Sequence, residues 1–371
     1  MSQGPAWVRL VGACGIVLGV LAFTPKSIAR QDYVPGSRYT SARGAGLGDS
    51  FIGLADDGPS SLFYNPAEIA SRPEFEVEPM NIALKMNAHF LGMNGLNFFQ
   101  FPNLQNYQAE LAKNPGKYPK LGGHYFPSVS FRGFAMGLLL QGEQGAQQVG
   151  NEINYRTQYQ LIPAVGTGFS LAQGILRFGY SLQWVHETVA DQTIRTTDPN
   201  IGYTHYAREG SGFSHNVAFS VILPFRFLPE FNLVARNVGN LRFYGFSLLP
   251  LSQSTTNQGT PNSEPMTLDA AFNMIVKFAG RSHINFSFVA RDFTNRSSTS
   301  PIMRAAFGAE FVFADSLFLR AGFGSGYPSF GFGLKSPTAE FGAAVFSEET
   351  TSTYHGFRDL KYMMQYQARV F

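Results

Sequence analysis

The sequence predicts an all-β fold: a transmembrane antiparallel β-barrel of about fourteen strands, with an N-terminal hatch folded inside the lumen. Three observations predict it. Segments of ten or more residues alternate apolar and polar side chains with period two. The connections between them alternate in length. An export signal opens the chain, yet no apolar run of roughly 18 residues, the length of a spanning helix, follows it.

Composition sets the frame. Of 371 residues, 44% are hydrophobic, 15% aromatic and only 14% charged, against roughly 25% charged in ordinary soluble domains. A disordered chain needs the opposite balance. The 28 basic and 25 acidic residues give +3 with no basic block, which argues against a nucleic-acid partner. The 39 glycines and 36 phenylalanines suit many strands joined by tight turns.

Residues 1–29 read as a cleaved signal peptide. Arg9 ends a short basic region, and residues 10–23 form an apolar core too short to span. Ser27-Ile28-Ala29 places small residues where signal peptidase reads. Val11-Gly12-Ala13-Cys14 imitates a lipoprotein box, but most of the apolar core follows the cysteine. Cutting there would leave a hydrophobic stub. Cys14 is the only cysteine, so the mature chain is expected to hold no disulfide and no Cys-ligated metal.

Residues 30–72 form the hatch region and do not alternate. The small residues of 40–57 let backbones pack closely in a confined space. Ser60 to Tyr64 suits one helical turn, which Asn65-Pro66 stops, because the residue before proline is pushed out of the helical region.

Residues 73–371 form the barrel. Its segments are 74–91, 124–131, 133–141, 152–170, 174–190, 212–223, 229–239, 265–279, 281–293, 300–313, 316–324, 328–335, 337–347 and 359–371. Met80, Ile82 and Leu84 oppose Asn81 and Lys85; Ile284, Phe286 and Phe288 oppose Asn285 and Ser287. Soluble strands run about 5–6 residues, whereas a membrane crossing needs about 9–11. A soluble sandwich turns its bulky face inward; a barrel in lipid turns it outward, around a polar lumen. The long connections are 92–123, 142–151, 191–211 and 240–264, and an even strand count puts both termini on the periplasmic side. Pro163 removes one ladder donor and reads as a bulge. Phe371 shares the parity of Gln367 and Arg369, although a terminal assembly aromatic belongs on the lipid face.

Charges share the lumen parity: Lys85, Arg177, Arg236, Asp269, Lys277, Arg291, Arg304, Glu310, Arg320 and Glu340. A lipid-facing charge costs about 2–4 kcal/mol at midplane, which explains the shared face. These groups either line a polar conduit or pair with each other and the hatch, and a narrow plugged lumen favours pairing. The seven histidines show no metal-ligand spacing, and there is no nucleophile elbow or phosphate loop. No enzyme, metal or cofactor is expected.

The segment Gly44-Ala45-Gly46-Leu47-Gly48, the Ala55-Asp56-Asp57 triplet and Tyr64-Asn65-Pro66-Ala67 resemble the hatch of the FadL/TodX family of outer-membrane transporters, and of the related PorV-like barrels. Residues 233–239, 307–311 and 319–323 resemble recurrent strands of that superfamily. The resemblance implies a fourteen-stranded outer-membrane barrel and passive uptake of hydrophobic small molecules, long-chain fatty-acid-like. It implies a hatch motif at Asn65, Pro66 and Ala67 and a lateral gap at an inward kink in an early strand. The implied partners are outer-membrane lipid, a hydrophobic ligand and the barrel-assembly machinery. The alternative is a PorV-like scaffold that docks exported proteins. Of the external loops, 92–123 has the length for a helical pair.

Overall fold

Alternation becomes wall. The protein, described here from a computed structural model, is placed over residues 38–71, 75–93, 98–245, 258–278, 280–351 and 353–370. The signal-peptide segment 1–29 and Phe371 lie outside the described residues. The strands are β1 (Glu76–Asn87), β2 (Lys120–Tyr125 and Ser128–Phe131), β3 (Phe134–Val149), β4 (Glu152–Leu171), β5 (Leu176–Arg195), β6 (Arg208–Ile222) and β7 (Glu230–Arg236). They continue as β8 (Thr267–Lys277), β9 (His283–Ala290), β10 (Ala305–Phe313), β11 (Leu317–Gly324), β12 (Tyr327–Lys335), β13 (Ala339–Glu349) and β14 (Arg358–Val370). Each pairs antiparallel with its sequence neighbours, and β14 returns to β1 from Met80↔Ala368 to Asn87↔Lys361. The fourteen-stranded sheet is closed, so no edge is left to pair.

Burial runs opposite to that of a soluble protein. On β1 Asn81 is fully buried while Ile82 is 46% exposed. On β11 Arg320 is buried and Leu319 exposed; on β14 Gln365 is buried and Tyr366 exposed. A whole face of large apolar side chains turned outward around a buried polar face fits surroundings that are themselves apolar. This inversion excludes the sandwich.

Strand heights are unequal. β3, β4 and β5 have 16, 20 and 20 residues, whereas β7 and β9 have 7 and 8. The expected loop 142–151 is therefore mostly strand, and the chain turns at Gly150-Asn151, where the φ of Gly150 is +61°. Its hydropathy does not alternate because the outward-parity face there is covered by protein: Gln144 accepts from Tyr159, and Ala146 packs against the long-loop aromatic residues. Residues 301–304 also depart from expectation: Pro301, which lacks a ladder donor, opens the short helix Pro301–Arg304.

Two prolines behave differently. Pro163 does not make the expected bulge. Leu138↔Pro163 holds on one side, and on the other the pairs Leu161↔His186 and Ala164↔Gln183 keep one register. The missing N–H interrupts the ladder without inserting a residue. Pro127 interrupts β2, and here the register does slip. Glu78↔Ser128 and Ile82↔Tyr125 leave one extra residue on β1. Phe126 turns into the lumen, its ring 5.3 Å from Phe63 and 5.1 Å from Tyr39. The wall stays bonded on both sides. Phe126 N–H donates to Asn81 O at 2.8 Å, and Leu138 N–H to Pro127 O at 3.0 Å.

The segment 38–71 lies inside this wall. It comprises α1 (Ala42–Gly46), a turn at Ile52–Leu54, α2 (Gly58–Phe63) and a 3-10 turn at Pro66–Ser71. Ser41 and Asp57 cap the two helices, accepting from Gly44 N at 3.0 Å and Ser60 N at 2.6 Å. Tyr39, Leu47, Phe51, Leu62 and Phe63 form one core with the wall residues Phe126, Leu139, Ile162 and Val185. Glycines permit the contact. A Cβ on Gly46 would lie 2.8 Å from Gly331 Cα, and one on Gly322 would lie 2.1 Å from the Leu47 carbonyl carbon.

Candidate functional site

The site has three tiers: an aromatic cluster packed on the outward-parity side of the wall at the long-loop end, the plug with its ion pairs in the lumen, and a cavity at the short-turn end.

The upper tier is built by α3 (Ala88–Leu91) and α4 (Leu104–Lys113) from the first long loop. Asn87 caps α3, accepting from Phe90 N at 3.0 Å. Phe90, Phe101 and Tyr107 are buried together with Met93, Leu104 and Leu111. Phe101 meets Phe90 and Tyr107 edge-on at 5.0 Å, and lies 5.9 Å from Tyr203. Tyr155, Ala190 and Ile194 supply the wall side from β4 and β5. The hydroxyls of Tyr118 and Tyr203 are buried without a hydrogen-bond partner. His89 Nδ1 accepts from Tyr118 N–H at 2.8 Å. Burial holds this imidazole below the usual histidine range, in the neutral form that acceptance requires. Sequence reasoning named the loop but not this cluster; the clustering of Phe98, Phe99, Phe101 and Tyr107 was its signal.

The middle tier joins plug to wall. Glu310 accepts from Arg43 Nη2 at 2.7 Å and from Arg320 Nε at 2.7 Å. Arg320 also lies 3.8 Å from Glu340, which Arg369 approaches at 3.2 Å. Arg236 donates to Asp269 at 2.6 Å and to Tyr64 O at 2.9 Å. Arg291 donates to Asp49 O at 2.6 Å. Arg177 donates to Glu68 at 2.7 Å. Arg304 donates to Asp292 O at 2.8 Å, and Lys85 is 4.0 Å from Glu143. Lys277, at the end of β8, is exposed and joins none of these groups. Asn65 donates to Asn232 Oδ1 at 2.9 Å, while its own Oδ1 accepts from Ala67 N at 3.1 Å. Pro66 opens the 3-10 turn that this bond tightens, and Ala67 is fully buried beside it. The carboxylates Asp49, Glu68 and Glu143 were not singled out in sequence; they carry no pattern apart from the cations they meet.

The lower tier is a cavity of about 740 Å³ beneath the plug, lined among others by Arg43, Asp56, Glu68, Arg177, Glu230 and His283. Among the described residues no cluster of metal-ligating side chains occurs.

No family model matches the chain, and no curated protein does. Solved structures do. The Ralstonia pickettii toluene transporter TbuX superposes with TM-score 0.50 at 11% identity, covering 91% of this chain and 99% of that one. The Pseudomonas putida toluene transporter TodX gives 0.49 at 10% identity over 93% and 99%. A Pseudomonas aeruginosa FadL homologue gives 0.45 at 12% over 91% and 99%. With its closed wall of fourteen strands, the chain shares the fold of the toluene transporter TbuX.

Proposed function

We propose that the protein is an outer-membrane conduit that lets hydrophobic small molecules cross passively. The carrying observation is the buried aromatic cluster of Phe90, Phe101, Tyr107 and Tyr203 at the long-loop end, packed on the outward-parity wall residues Met86, Ala146, Tyr155 and Ile194. Packed on itself, it would admit a ring or an alkyl chain by opening, and would then hold it among apolar ring edges. The fold shared with a toluene transporter supports the same reading. The outward aromatics face lipid, the barrel-assembly machinery inserts the wall, and the long loops face outside the cell. The plug of 38–71 is the hatch, and the cavity below it is the far side of the route. Ring-sized and fatty-acid-like ligands both suit the cluster.

The test uses proteoliposomes loaded with albumin, to trap what crosses. Barrel-containing vesicles take up toluene or a fluorescent long-chain fatty acid faster than protein-free vesicles, and Phe101→Ala with Tyr203→Ala slows them. Equal rates with and without the barrel overturn the transport reading. Capture of an exported protein by the loops of such an inactive barrel would install the docking scaffold in its place.

A further inference from the structure

Two carboxyl groups meet where the plug ends above the cavity. Glu68, in the 3-10 turn Pro66–Ser71, accepts from Arg177 of β5 at 2.7 Å through Oε2. Ser71 Oγ is 3.4 Å from the same oxygen. The other oxygen, Oε1, is buried and receives no donor. Glu230, the first residue of β7, faces Glu68 within hydrogen-bonding reach, and its Oε1 is also buried without a donor. Both side chains line the 740 Å³ cavity.

Among the described residues, the surroundings supply one positive charge for two acids. Asp56 of the plug adds a further negative field at Glu68. The other strands packed on this turn bring uncharged residues: Ala135 of β3, Gly168 of β4, and Ala218 and Ser220 of β6. Arg43, His283, Asp315, Lys335 and Glu340 also line the cavity. Arg43 is already paired with Asp56 and Glu310, and Glu340 with Arg369. Two like charges in contact in a low-dielectric site cannot both ionise cheaply.

We propose that Glu68 and Glu230 share one proton and form a pH-sensitive latch tying the Pro66–Ser71 turn to the wall. One carboxyl donates its O–H to the other's carboxylate, and Arg177 balances the remaining charge. Removing the proton leaves two facing carboxylates and one guanidinium, so the turn is pushed from β7. Burial also pushes the Glu68 carboxyl up from its ordinary value. The sign follows. The tie is complete at low pH, where the proton is held, and is lost as pH rises through the pair's titration. The cavity gives the pair access to bulk protons. What loosening does to permeation rests on the transport reading; the shared proton does not.

The test therefore reads the latch and not solute movement. Infrared titration of the purified full chain in lipid nanodiscs shows at about pH 7 a protonated-carboxyl component that is missing from the difference spectra of both Glu68→Gln and Glu230→Gln, since a glutamine amide supplies the missing donor without a titrating proton. Hydrogen exchange of 66–71, corrected for its intrinsic pH dependence, accelerates about tenfold or more between about pH 6 and about pH 9. That is the effect of one carboxyl holding its proton at least about tenfold more tightly in the seated turn than in the released one. In Glu230→Gln that acceleration disappears. A carboxyl band that is absent, or that neither substitution diminishes, overturns the proposal, as does pH-independent exchange in the parent. A barrel that moves no solute leaves all these readouts intact.

Discussion

Glu310 is fully buried in β10 and accepts from two guanidiniums, Arg43 and Arg320, and from Asn285 Nδ2 at 3.1 Å. Its position opposite Arg320 follows from strand register, Glu310↔Arg320. Arg43, by contrast, arrives from the plug. Glu310→Ala removes the shared acceptor of Arg43 and Arg320, leaving them only Asp56 and the more distant Glu340, so the folded barrel should lose about 3–5 kcal/mol, read as a shifted urea midpoint in detergent. Arg281→Ala breaks only the exposed pair with Asp315, so its midpoint should move by less than about 0.5 kcal/mol. Equal shifts in the two variants would deny the lumen network its structural weight.

At the scale of elements, the plug is seated by close backbone contact as well as by charge. Gly322 lets Leu47 approach β11, and a Cβ there would overlap the Leu47 carbonyl at 2.1 Å. Gly322→Ala should therefore unseat α1 and its exit, seen as faster proteolysis within 40–70 and, if the plug gates the lumen, higher single-channel conductance. Gly245→Ala, with nothing within 4 Å of the added carbon, is the control and should change neither. A Gly322→Ala barrel as protease-resistant as its parent would show that the wall, not the plug, yields. The strands obey a different rule. Phe288 is 47% exposed on the outward face of β9. Phe288→Arg should cost about 2–4 kcal/mol in lipid and cut the yield of folded barrel, whereas Phe288→Leu should be tolerated. Similar yields from both would place this face out of the bilayer.

For the whole molecule, one end carries tight turns and the other the helices and long loops, and this polarity predicts orientation. A cysteine at the exposed Thr197, beyond β5, should react with an impermeant thiol reagent on intact cells. A cysteine at Gln173, in the opposite turn, should react only after the outer membrane is ruptured. The reverse pattern would invert the barrel and move the 740 Å³ cavity to the outside.

Strand number and facing were legible because period-two alternation is a local property, fixed by the pleat and by what each face touches. That is why Asn81 and Ile82, or Asn285 and Phe286, could be assigned to opposite faces before any partner strand was known. Where the outward face is covered by the chain's own long loop, as along 142–149 of β3, the hydropathy signal fades and only backbone pairing shows the strand. The consequences of proline were not legible either: Pro163 preserves register while the interval with Pro79 and Pro127 slips it, because the outcome depends on the strand opposite. The motif Asn65-Pro66-Ala67 was visible as a local turn, but its anchor, Asn232, lies 167 positions away. The sequence alone thus determined that there is a closed wall with charges turned inward. Only the tertiary structure decided which charges meet, because Arg43 and Glu310, or Glu68 and Glu230, are brought together by closing the barrel around the plug, and no spacing along the chain encodes that distance.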